Sequence, residues 1–73
     1  SIEFGRLKQA IYSLERELRE GTSEPGVIEP RLINKYFWLI DHFIGVQEEQ
    51  QKIDEVLLKI RSLNPRVYHQ YTN

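Results

Sequence analysis

Seventy-three residues without a cysteine make one small domain, 1–73, that neither disulfides nor thiolate-bound metal can brace, so packing is its only stabiliser. Ten basic side chains against eleven acidic ones leave a net charge of −1, with no long run of one sign to grip a nucleic-acid backbone or an anionic membrane. The apolar run Tyr36–Ile40 is far short of the roughly 20 residues that span a bilayer, and no signal-peptide pattern opens the chain, so a soluble, intracellular protein is expected.

Phe4, Leu7, Ile11, Leu14 and Leu18 are spaced three, four, three and four apart, the seam of a helix that packs on other helices. They predict a first helix over residues 3–20, with Glu15–Arg19 and Arg16–Glu20 paired on its outer face and Gly21 closing it. Residues 22–30 contain Pro25, Gly26, Ser23 and Pro30 and read as a connecting loop, with Val27 and Ile28 tucked under the helix ends. Pro30 suits the first turn of the helix that follows.

From Arg31 to Leu63 no proline intervenes, and apolar residues recur at Ile33, Tyr36 or Phe37, Ile40, Phe43 or Ile44, Ile53, Leu57 and Ile60. The preferred reading is one long helix over 31–63. Gly45 is its only breaker, at about 1 kcal/mol relative to alanine, and Gln47 to Lys52 are helix formers. The alternative is a turn near Gly45 that folds 47–63 back as a third helix, giving a three-helix bundle. Asn64 and Pro65 end the helix, and 66–73 reads as an extended tail docked through Val67, Tyr68 or Tyr71.

The fold class is therefore all-α, a helical hairpin of a short helix and a long one. At 1.5 Å per residue the first is roughly 27 Å long and the second roughly 50 Å. One cannot cover the other, which leaves Ile53, Val56, Leu57, Ile60 and Leu63 bare unless another chain buries them. Phe37, Trp38, Ile40, Phe43 and Ile44 make the preceding segment apolar on nearly every side, a pattern that calls for several neighbouring helices. These ten residues are the candidate interface of an oligomeric helical bundle or coiled coil. The absence of any methionine reads as a module excised from a longer scaffold or regulatory protein, with residues 1–4 foreign to it. In layout alone, short helix, proline-containing loop and long helix loosely resemble coiled-coil assembly segments of large scaffolds, central-channel nucleoporins included.

No chemistry assembles from the remaining residues. His42 and His69 lack partners at metal-binding helical spacing, and His42 beside Asp41 reads as a surface or interface histidine rather than a general base. Ser13 stands alone in the first helix, while Thr22, Ser23 and Ser62 sit at helix ends. The glycines are too scattered for a phosphate loop. No enzyme, cofactor, metal or small-molecule substrate is expected. Trp38 reads as buried in a bundle or as a binding hot spot, and Tyr68 and Tyr71 as helix-end packing or a docking motif. The Gln/Glu cluster 47–51 reads as a solvated face or a register-setting seam. The expected partner is a second copy, in a homodimer of hairpins; the alternative is an adaptor that accepts another protein's amphipathic helix. Nucleic-acid binding through Arg31, Lys35, Lys59, Arg61 and Arg66 is the weakest reading, because acidic groups intervene.

Overall fold

The computed structural model describes all 73 residues and contains four helices and no strand: α1 Ile2–Glu20, α2 Pro25–Gly45, α3 Gln50–Leu63 and α4 Pro65–Thr72. In α1 the Ser1 hydroxyl accepts the Phe4 N–H at 3.2 Å, and Gly21 closes the other end at φ 69, its N–H donating to the Glu17 carbonyl at 3.0 Å. The predicted seam faces inward: Ile11 is buried, and Leu7, Leu14 and Leu18 pack on the same cluster.

α2 begins six residues earlier than the sequence predicts, inside the expected loop. Pro25 takes the first-turn position that Pro30 was expected to fill, and the Glu24 carbonyl accepts the N–H groups of Val27 and Ile28 at 3.0 and 3.1 Å. Pro30 therefore lies inside the helix, where it removes the bond that would reach back to the Gly26 carbonyl. Gly26 is exposed, so water can serve that carbonyl. The early turn is held instead by Ile28, which is fully buried, while Val27 stays exposed.

The expected long helix over 31–63 does not exist. α2 stops at Gly45, and the chain reverses through Val46, Gln47, Glu48 and Glu49 before α3. Gln47 adopts φ 57, the Glu48 N–H reaches back to the Phe43 carbonyl at 2.8 Å and the Gln47 N–H to the Ile44 carbonyl at 3.1 Å. This is a Schellman closure with glutamine where glycine is usual. The reason lies in α3. Folding back buries Val56 and Ile60 among Ile11, Leu32, Ile33, Tyr36 and Ile40, at roughly 1.5–3 kcal/mol per side chain. That exceeds the approximately 1–2 kcal/mol of a left-handed glutamine.

The expected extended tail is likewise helical. The Asn64 side chain accepts the Val67 N–H at 3.1 Å and Pro65 takes the first turn of α4. The pair that ends α3 thus starts α4, and Tyr71 packs on Phe37 with ring centroids 4.9 Å apart.

α1 and α2 are antiparallel, as the Phe4–His42 stack at 4.1 Å requires. α3 folds back along α2 and so runs in the direction of α1. With α1 at 19 residues and α2 at 21, the length mismatch read from the sequence disappears. α1 and α3 each pack on α2 and meet each other through side chains. Foremost is Glu15 of α1, whose Oε2 accepts from the Lys59 ammonium of α3 at 3.1 Å and from the Tyr36 hydroxyl of α2. The molecule measures 35 × 32 × 15 Å, a slab about two helices thick. No helix is long and apolar enough to cross a membrane.

Candidate interaction surface

Eight residues are buried, all of them apolar or aromatic, and no group of acidic, histidine or cysteine side chains converges to hold a metal ion. His42 spends its ring face on Phe4. What the surface does offer is apolar side chains. Its accessible area is 5431 Å², whereas a folded monomer of this mass exposes about 4,700 Å².

The ten candidate interface residues divide into three groups. Ile40, Val56 and Ile60 are core, so two of the five residues of the stripe expected to lie bare on a long helix are buried within the chain itself. Phe37, Phe43, Ile53, Leu57 and Leu63 are half-buried against that core, Phe43 lying edge-on to Phe4 at 6.5 Å. Trp38 and Ile44 are exposed, at 61% and 55%. Within one chain Trp38 points away from the core, because it sits two positions from both Tyr36 and Ile40, which define the inward face of α2.

Trp38 stands over an open groove of about 670 Å³ between α1 and α2, on the side facing away from α3. Phe4, Leu7 and Ala10 line it from α1; Lys35, Asp41 and His42 line it beside Trp38 from α2. The groove continues past Ala10 and Trp38 to Leu14, Arg31 and Asn34. Lys35 places its ammonium 4.4 Å from the centre of the indole, a cation–π contact that restricts the ring's rotamers before any partner arrives. Because the helices are antiparallel, Glu3, Arg6 and Asp41 lie toward one end of the groove and Arg31 and Lys35 toward the other.

A second groove runs along the opposite flank of α1, between it and α3. Its floor is Ile11, Tyr36, Leu39, Phe43 and Val56, and Lys8, Glu48, Lys52 and Glu55 are on its rims. Tyr12 stands exposed beside it. At Tyr36 the phenol pKa is pushed well above its ordinary range, first by burial and then by the hydrogen bond to Glu15 and that carboxylate's charge.

Sequence reasoning missed Lys35 as the partner of Trp38, although its i, i+3 spacing on a helix was the available signal. It also missed Glu15 as the acceptor joining three helices, for which no local pattern exists. Of the basic residues weighed for nucleic acid, Lys35 is committed to Trp38, Lys59 to Glu15 and Arg61 to the ring of Tyr68 at 5.6 Å. No family profile matches the chain, and no curated protein or solved structure is significantly similar to it.

Proposed function

We propose that this chain is a protein–protein interaction module rather than an enzyme, and that the α1–α2 face around Trp38 pairs with the same face of a second copy. The observation that carries the reading is the exposed indole, held in place by Lys35 over a groove with Ala10 in its floor. Tryptophan is enriched among the residues that anchor interfaces, and here it stands beside Phe4, Leu7 and Ala10 with polar side chains around them.

The charges at the two ends of the groove allow a second copy, with Arg6 offsetting part of the acidic end. A two-fold axis near Ala10 and Trp38 lays Arg31 and Lys35 of one protomer beside Glu3 and Asp41 of the other, twice over, as an isologous interface demands. The hairpin dimer expected from the sequence, with its long helix over 31–63, is replaced in this proposal by a dimer whose paired face is built from α1 and α2. The adaptor reading has its own support in the groove between α1 and α3, whose apolar floor and charged rims match an amphipathic helix.

Solution mass across a wide range of concentration tests the first reading, with Trp38→Ala beside the native chain. A native dimer that Trp38→Ala converts to a folded monomer supports it. A native chain that stays monomeric at the highest concentration overturns self-association and moves the search to a helical partner in the α1–α3 groove.

A further inference from the structure

We propose that the α2–α3 turn is a hinge through which two copies of this chain exchange α3 and α4, residues 25–63 becoming one helix in the exchanged dimer. Gln47 is the only non-glycine residue at positive φ in the chain, at 57°, and it lies in a four-residue reversal, Val46 to Glu49, whose last three residues are helix formers, as are Gln50 to Lys52 after it. Short connections under strain are the setting in which elements swap between copies. α3 also starts without a side-chain cap, and a continuous helix would give its first amides the carbonyls four residues back.

The sequence supplies a seam for the open form. Tyr36, Leu39, Phe43, Val46, Gln50, Ile53, Leu57 and Ile60 alternate by three and four without a break across the turn, and Gln50 is the only member that is neither aliphatic nor aromatic. Since α3 lies antiparallel to α2 in the closed molecule, exchange sets two long helices antiparallel, each α3 resting on the other copy's α2. The contacts of α3 with α1 and α2 reform between copies: Val56 and Ile60 return to a core, and Lys59 returns to a Glu15.

Two features idle in the closed fold acquire a use. Val46 is 56% exposed at the turn and in the exchanged form lies where the two long helices cross. Gly45 has no conformational reason to be glycine here, for its φ is not left-handed and an added Cβ would meet nothing within 4 Å; at a helix crossing a missing side chain permits close approach.

The Glu15–Lys59 pair offers a test that does not depend on the Trp38 face. Copies carrying Glu15→Lys and copies carrying Lys59→Glu, distinguishable by mass, are co-refolded at high concentration and their dimers weighed by native mass spectrometry. In either variant alone every lobe sets like charges together. An exchanged heterodimer sets the two substituted side chains, now of opposite sign, against each other in one lobe and restores Glu15 against Lys59 in the other, so mixed dimers are expected in large excess over the statistical proportion. Statistical mixing, or monomers alone, overturns the exchange. Gln47→Gly in the otherwise native chain gives an independent reading, because glycine relaxes the closed turn and weakens the open helix; it should lower the exchanged dimer about tenfold, and an unchanged dimer fraction counts against the hinge. Repeating the mixing in a Trp38→Ala background separates the two proposals: excess mixed dimer there upholds the exchange even if the Trp38 face pairs with nothing.

Discussion

Tyr36 shows what a single hydroxyl contributes when it meets a carboxylate inside a small core. Its ring is buried among Leu32, Ile33 and Ile40, and its hydroxyl donates to the Glu15 oxygen that also holds Lys59. Tyr36→Phe removes a hydrogen bond to a charged acceptor and should lower unfolding free energy by about 1.5–3 kcal/mol, measured by chemical denaturation. The same group makes the fold sensitive to alkali. In the unfolded chain the phenol ionises near its ordinary pKa of about 10, whereas in the fold burial and Glu15 keep it protonated to higher pH. The folded state therefore binds more protons above that point, so this stabilisation is complete below about pH 10 and is lost as pH rises beyond it, by up to about 1.4 kcal/mol per pH unit. A denaturation series from neutral to alkaline pH should show a steeper fall for the native chain than for Tyr36→Phe. Parallel curves would mean that Tyr36 ionises no differently in the two states. Trp38 lies at the other extreme. With 61% of its surface exposed, Trp38→Ala should change monomer stability by less than about 1 kcal/mol while removing self-association.

At the scale of elements, the sequence disclosed α1 from its third residue to its end, because its seam and Gly21 are local signals; the first turn, capped by Ser1, was missed because residues 1–4 were read as foreign. The all-helical class was legible for the same reason. The ends of α2 and α3 were not. Pro25 and Pro30 compete for the same first-turn role, and the winner is set by the burial of Ile28, a tertiary fact. The break after Gly45 is similar: Gln47 to Lys52 favour helix locally, and only the covering of Val56 and Ile60 by α1 and α2 outweighs that preference. In the candidate site, Trp38 and Ile44 were legible as apolar residues, yet which of the ten would face outward depended on where α3 came to rest. α4 offers a direct check on this account. Asn64→Ala deletes the side chain that accepts from Val67 and should cost about 1 kcal/mol, concentrated in α4. Amide hydrogen exchange should then quicken across 66–72 and leave α1 and α2 protected; uniform acceleration would mean that α4 unfolds only with the whole.

The whole molecule is flatter than its length requires. Its radius of gyration is 12.3 Å, against about 11 Å for a compact chain of this size, and its core comprises eight buried residues. So thin a core leaves stability open to mass action: any pairing of folded copies adds a term that grows with concentration. The thermal midpoint should rise as the protein is concentrated, and salt should discriminate between the two modes of pairing. Across the Trp38 face the interprotomer charges, Arg31 and Lys35 against Glu3 and Asp41, lie at an exposed rim, where added salt screens them over a Debye length of about 8 Å at physiological strength. Exchange of α3 re-forms apolar contacts around Val56 and Ile60, which screening does not touch. A concentration dependence that salt weakens and that Trp38→Ala removes assigns assembly to the Trp38 face, and one that persists in Trp38→Ala assigns assembly to the hinge. A midpoint independent of concentration in both conditions would leave the chain a monomer whose exposed indole belongs to a different partner.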